Sequence, residues 1–365
     1  MSSSLAHIVA QTNISRLSLI GLAKNAGKTT VTNQLLETLL NENLYRSEEL
    51  ALTSLGLDGE AIDALTGLAK PHCIPEAGLL VVTTDNLLRQ AEIEGAQIER
   101  LLQLPGRTAL GPVMLARVQR PGRIVIAGPT LLRDLRNALD QLHEYGTHLA
   151  IVDGAINRVG AAAPDITDAC ILCTGASIAA TPELVAQRTA EIFQRLTTQQ
   201  TQWYDAYRKW HLHIRLLGFS IEGEEPGEIV SYSGSDEPSV EACWIVARMQ
   251  NYPCSLYFLR GAFTEELSRE LLAQLSQRPG TSENQAELVV ADATKIFCHS
   301  VVQQRLARQG LHVRVARPIR ILALSLNPYT PGYVCTSREL LDALVKKLPV
   351  ERPPILDVVS GLSDG

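Results

Sequence analysis

Residues Gly21 to Thr30 read GLAKNAGKTT and directly follow the apolar run Leu17-Ser18-Leu19-Ile20. After them comes a stretch with Val31, Leu35, Leu36, Leu39 and Leu40 at helical spacing. A strand, a glycine-bounded loop and a helix opening on Lys-Thr bring the helix's unpaired N–H groups to the loop, where they attract phosphate oxygens. This layout cradles a nucleoside triphosphate. Lys28 would reach the β- and γ-phosphates as a compact charge, and the Thr29 hydroxyl would ligate Mg²⁺. The expected nucleotide contacts are Gly21, Asn25, Ala26, Gly27, Lys28, Thr29 and Thr30, with Lys28 at an exposed loop tip. A bare Gly-Lys-Thr triplet would say little; the strand before it and the helix after it give it weight.

The usual phosphate-loop (Walker A) pattern places four residues between its glycines. Here Gly21 and Gly27 enclose Leu22-Ala23-Lys24-Asn25-Ala26, one residue more. The longer loop resembles that of dethiobiotin synthetase and its relatives in the dimeric P-loop class, which implies a homodimer. A distant segment fits the same scheme. His148 to Ile156, HLAIVDGAI, reads as a buried strand ending in Asp153-Gly154-Ala155, similar to the metal-side Glu-Gly-Ala of dethiobiotin synthetase. A carboxylate there can hold Mg²⁺ or its water shell, and Gly154 lets the backbone approach the γ-phosphate. Asp-Gly is also an ordinary turn.

Composition narrows the function classes. With 365 residues, 45% hydrophobic and 20% charged, the chain can bury one large core or two moderate ones. A net charge of −6 argues against general nucleic-acid binding, which needs a basic face. The start, MSSSLAHIVAQTNISR, lacks a basic and an apolar export region, and no apolar run reaches membrane-spanning length. A cytoplasmic protein without a membrane partner is expected. The seven cysteines are scattered. The closest pair, Cys170 and Cys173, would point to opposite faces of a strand, so buried thiols in a reducing compartment are expected rather than a metal site or disulfide.

Strand-like and helix-like segments alternate along most of the chain, the pattern of a largely parallel α/β sheet. Strands are expected at Leu50–Ser54, Gly78–Thr84, around Asp153 and at Asp168–Cys173. A helix is expected over Asn86–Leu104. The runs Thr108–Val118 and Arg123–Ala127 read as paired strands reversed at Pro121-Gly122, and Gly128-Pro129-Thr130 opens a helix to Tyr145. Pro182–Trp210 reads as one long helix or a helix pair, and Arg215–Trp244 as a β-rich insertion. Further strands are expected at Cys254–Leu259, Glu287–Ala291, Arg314–Leu326 and Ile355–Val359, with helices at Leu267–Leu275, Val301–Arg308 and Arg338–Lys346. The expected architecture is a P-loop NTPase three-layer fold. A nucleotide-binding core (14–180) is followed by a helical and β-rich insertion or linker (181–253) and a C-terminal α/β half (254–365). That half either extends the first sheet or forms a second lobe.

Several other residues could carry chemistry. Asp58 and Glu60 lie in the loop after the second strand, where a carboxylate can hold Mg²⁺ through water or orient an attacking water; a solvated acidic turn is the alternative. Asp58 therefore joins Lys28 and Asp153 as an expected catalytic residue, and joins Thr29 and Asp153 as an expected metal ligand. Arg158 could reach a phosphate or a partner's acid, or face solvent. Lys24 sits four residues before Lys28, whereas the dimeric class places its cross-interface lysine five before. Asp292-Ala293-Thr294-Lys295 and Asn327-Pro328 follow strands, where open α/β sheets place ligands. Asn327 could hydrogen-bond the nucleobase through its amide, or simply start a turn. His72 and His299 show no ligand spacing, so no metal beyond Mg²⁺ is expected.

Across most of its length the chain resembles a family of P-loop proteins identified as the reactivase subunit of lysine 5,6-aminomutase. The resemblance rests on GLAKNAGKTT, TSLGLDGE, LARVQRPGRIVIAGP, VDGAINR, DACILCTGAS, ADATKIF and LNP. It implies a Mg²⁺-dependent ATPase with two partners: an adenosylcobalamin- and pyridoxal-phosphate-dependent aminomutase client, and a second reactivase ATPase subunit. The first-half likeness to dethiobiotin synthetase implies a rival, an ATP-dependent ligase or kinase acting on a small carboxylate-bearing substrate. Leu22-Ala23-Lys24 replace that enzyme's polar loop residues, however, and Lys70-Pro71 lies well after the second strand. A nucleotide switch with little turnover is the third class. The absence of an Asn-Lys-x-Asp motif favours ATP over GTP.

Overall fold

The computed structural model describes residues 4–56, 73–154, 159–210, 214–222, 225–251, 254–277, 285–330 and 335–364. Asp58, Glu60, Lys70-Pro71, His72, Ala155 and Arg158 lie outside these residues. The chain divides into two compact units: Met1–Ala190 with Arg320–Gly365, and Glu191–Ile319.

In chain order the elements are α1 (Leu5–Ala10), β1 (Arg16–Gly21), α2 (Lys28–Asn41), β2 (Leu50–Leu55), β3 (Leu80–Thr84), α3 (Asp85–Ile93), β4 (Gln97–Thr108), β5 (Gly111–Arg120), α4 (Leu132–Glu144), β6 (Leu149–Gly154), β7 (Ala169–Gly175) and α5 (Pro182–Leu196). They continue as α6 (Tyr204–Trp210), β8 (Leu216–Glu222), β9 (Glu225–Ser231), α7 (Pro238–Asn251), β10 (Cys254–Leu259), α8 (Glu265–Ser276), β11 (Ala286–Val290), α9 (Ser300–Arg308) and β12 (Leu311–Val315). The chain ends with β13 (Ile321–Asn327), α10 (Ser337–Lys347) and β14 (Ile355–Leu356).

The first unit carries a sheet in the order β14-β13-β7-β1-β6-β2-β3-β5-β4. Pairing is parallel from β14 to β3, and antiparallel from β3 to β5 and from β5 to β4. Both β2 and β7 are buried at every residue, which explains why neither contains a charged side chain. Helix α2 buries Val31, Leu35 and Leu39 on one stripe, and these join the core formed by Leu17, Leu19, Leu52 and Ile151. Cys170 and Cys173 are buried free thiols on β7.

The second unit carries its own sheet, ordered β12-β11-β10-β8-β9, parallel from β12 to β10 and antiparallel beyond. Its core packs Tyr207, Phe219 and Phe258, with Phe258 edge-on to Tyr207 at 5.2 Å between centroids. The Glu241 carboxylate, 1% exposed, is held by the Arg215 guanidinium at 2.7 and 3.1 Å. Among the described residues, no helix is long and apolar enough to cross a membrane.

Three sequence expectations about elements change. The helix over Asn86–Leu104 stops at Ile93; Gly95, at φ 104°, turns the chain, and Gln97 onward pairs with β5. Glycine in the left-handed region ends helices readily, and the partner strand then overrides local helix propensity. Arg100 ties the new strand back to α3 through Asp85 at 2.6 Å and a two-pronged contact to Glu92 at 2.8 and 2.9 Å. The paired-strand expectation shifts for the same reason: β5 pairs with β4, while 123–127 contributes an isolated bridge between Cys73 and Ile124. Arg215–Trp244, expected as β-rich, does carry the β8–β9 hairpin before α7 begins at Pro238. Arg314–Leu326 is two strands in two sheets, β12 and β13. Residues 254–319 therefore join 191–253 in one unit, and only the last strands extend the first sheet.

Candidate functional site

Strand β1 runs between β6 and β7, with Gly21 in register with Cys173 and Leu19 with Asp153. Its C-terminal end opens into the loop of residues 22–27. Leu22 N–H donates to Cys173 O at 3.0 Å and anchors the loop's first residue to β7. Asn25 and Gly27 have φ of 58° and 91°, so the loop makes two left-handed turns before α2 begins at Lys28. Left-handed residues turn successive N–H groups toward one concave side. Among the described residues, the N–H groups of Asn25, Ala26, Gly27 and Thr29 meet no acceptor.

Lys28 departs from its expected exposure. Its residue is 7% exposed, because the side chain folds back along the loop rather than projecting from a tip. A Cβ at Gly21 would stand 2.8 Å from Lys28 Nζ and 3.0 Å from its Cδ. Only glycine leaves room for that path, which gives Gly21 a steric role beyond loop flexibility. The ammonium is thereby held over the end of β1.

Asp153 occupies the adjacent strand end, its Cα in register with both Leu19 and Ser54. The Cys173 thiol senses both charges. Burial pushes it up to about 12, Lys28 draws it down and Asp153 drives it up. Cys73 is likewise pushed up to about 12 by burial and then by Asp153. These thiols stay protonated and inert near neutral pH. Gly154, next along β6, is buried, and a Cβ there would lie 2.6 Å from Leu19 O. The close packing of β6 on β1 thus demands glycine at that point.

The structure brings Gly21, Asn25, Ala26, Gly27, Lys28, Thr29 and Thr30 together with Asp153 and Gly154 at neighbouring strand and helix ends. It adds Asn327 in a different posture from the expected one. Asn327 Nδ2 donates to Asn25 O at 2.8 Å, and its Oδ1 accepts from Tyr329 N–H at 3.1 Å. Lys24 is half-buried within the loop. Asp292 belongs to the second unit, where its carboxylate accepts from Thr294 N–H at 2.8 Å and Thr294 Oγ1–H at 2.5 Å.

Sequence reasoning missed a group of residues beside this site. Ser54 Oγ donates to Gly56 O at 2.7 Å and accepts from Gly128 N–H at 2.9 Å, while Gly56 N–H donates to Pro129 O at 2.7 Å. The Gly128-Pro129 corner therefore braces the end of β2, just before the segment containing Asp58. Cys73 Sγ donates to Asn33 Oδ1 at 3.2 Å and so links that segment's far end to α2. The Gly-Pro pair marked a turn, but nothing in the sequence indicated what the turn touches.

The donor set suits a polyphosphate with a hard cation. It offers oriented N–H groups, one ammonium, and a hydroxyl and carboxylate on adjoining elements. No group of three or more His, Cys, Asp or Glu side chains able to hold a metal by themselves occurs among the described residues. That is compatible with Mg²⁺, which takes one or two protein ligands and completes its shell with phosphate and water. No protein-family model matches this chain, and no curated protein matches it.

Proposed function

We propose that this chain is a cytoplasmic P-loop protein that binds ATP with Mg²⁺, hydrolyses it, and uses the cycle to reactivate a cobalamin-dependent aminomutase, lysine 5,6-aminomutase. The observation that carries the nucleotide reading is Lys28 folded over Gly21 in the loop joining β1 to α2, with Asp153 at the end of the next parallel strand. The loop N–H groups would bind the phosphates, Lys28 would offset their charge, and Thr29 and Asp153 would hold the metal. Mg²⁺ bound there would neutralise charge on the phosphate oxygens. The client, and a second reactivase ATPase subunit as companion, rest on the sequence resemblance.

Two observations weigh against the rival ligase or kinase. An acceptor pocket facing the γ-phosphate would draw on Asp58, Thr84 and Thr174. Thr84 ends β3 and Thr174 lies on β7, four strand steps apart, about 19 Å across a sheet. The Thr174 hydroxyl is moreover hydrogen-bonded to Thr189 at 2.6 Å.

The test measures phosphate release from ATP and GTP, with and without inactivated aminomutase and the companion ATPase. Slow intrinsic release from ATP, stimulated by the client and accompanied by recovered mutase activity, supports the proposal. Fast release that needs only a small acceptor overturns it in favour of the ligase or kinase.

A further inference from the structure

Strand β13, second from one edge of the first unit's sheet, reaches the loop across β7. Asn327 is the last residue of β13 and lies in register with Gly175 at the end of β7. From there its amide Nδ2 donates to Asn25 O at 2.8 Å, spanning 302 residues of sequence. Its Cβ stands 3.2 Å from where a side chain at Gly27 would begin. The same amide's Oδ1 accepts from Tyr329 N–H at 3.1 Å, which fixes its orientation, since one partner is only an acceptor and the other only a donor. Asn327 O accepts from Ala176 N–H at 2.9 Å, so its backbone is fixed as well.

We infer that Asn327 is a positioning residue for the loop and not a base-reading one. Both polar ends of its amide are engaged within the chain. The carbonyl it holds belongs to Asn25, the left-handed residue whose conformation turns the following N–H groups inward. An asparagine with φ above zero sits in a sparsely populated region and is held there by its surroundings. Asn327 supplies that restraint from outside the loop. The consequence for affinity rests on the nucleotide reading above. It is distinctive, because a restraint on the phosphate-binding backbone acts equally on every nucleoside triphosphate, whereas a base contact does not.

The experiment titrates ATP, GTP and CTP, each with Mg²⁺, into wild-type protein, Asn327→Ala, Asn327→Ser and Lys28→Gln, alongside thermal melts and NMR relaxation of the backbone amides. Losing one hydrogen bond that orders the loop should weaken all three nucleotides by about tenfold and by equal factors. The order parameters of Asn25, Ala26 and Gly27 should fall, while those of the neighbouring strands stay unchanged. A loss confined to ATP, or unaltered loop order in a folded variant, overturns the inference. Asn327→Ser keeps a small polar residue at the strand end and serves if the alanine variant does not fold. Wild-type affinity in Lys28→Gln would instead sink the nucleotide reading, and the relaxation measurement without nucleotide would still decide whether Asn327 restrains the loop.

Discussion

Strands β1 and β11 both run parallel to their neighbours and both end in a polar turn, yet the two turns are finished differently. After β11, Asp292 is 1% exposed and its carboxylate accepts the N–H and hydroxyl of Thr294. The turn supplies its own anion. After β1, the N–H groups of Asn25, Ala26, Gly27 and Thr29 meet no acceptor among the described residues, and a carboxylate, Asp153, stands at the end of the neighbouring strand. Strand C-termini in α/β sheets are common ligand sites. On the nucleotide reading proposed above, the difference lies in the backbone: N–H groups turned by left-handed residues and braced by a remote contact, in a loop that carries no acid of its own.

The largest effect is expected for Lys28→Gln, which leaves a slightly shorter polar side chain beside Gly21 but removes its charge. ATP affinity should fall by about 100-fold or more, roughly 2.7 kcal/mol. Titration calorimetry beside a thermal melt checks this; a destabilised protein with unchanged affinity would break the contrast, because Lys28 would then be a structural filler. Asp292→Ala is the mirror experiment. It should cost about 1–2 kcal/mol of stability through the lost cap, measured by denaturant unfolding, with ATP affinity unaltered.

Asp153→Asn should retain most nucleotide binding while shifting its Mg²⁺ dependence, raising the half-saturating Mg²⁺ concentration by about tenfold and slowing hydrolysis. An equal loss with and without Mg²⁺ would remove Asp153 from the metal's surroundings.

The smallest effect concerns Arg100, which bridges β4 and α3 away from either turn. Its hydrogen bonds hold Asp85 and Glu92 below their ordinary values of 3.8 and 4.5. Carboxylates depressed in the folded state stabilise it above those values, and that contribution is lost as pH falls through the lower folded ones. Arg100→Met should therefore be less stable than wild type by about 0.5–1 kcal/mol at pH 7, with the gap closing as pH falls below about 4. Urea unfolding across that range would expose a pH-independent gap, which would assign the effect to packing of the arginine's aliphatic stem instead.

The glycine loop, the helix after it and the buried strands around it were legible in the sequence. Each is specified by neighbours within a few residues: largely apolar runs for β1, β2 and β7, and helical spacing for α2. Local pattern could not assign partners. Gln97 onward carries a helix-compatible sequence and becomes a strand because β5 lies beside it. The run Arg314–Leu326 reads as a strand, yet Leu311–Val315 pairs with β11 and Ile321–Asn327 with β7, in two different sheets. The same limit applied at the site. Sequence alone marked Lys28 and Asp153 by type and position, since charge travels with the residue. Only the tertiary structure folded Lys28 back over Gly21 and brought Asn327 to the carbonyl of Asn25, because hydrogen bonds depend on distance in space and those residues are 302 apart in the chain.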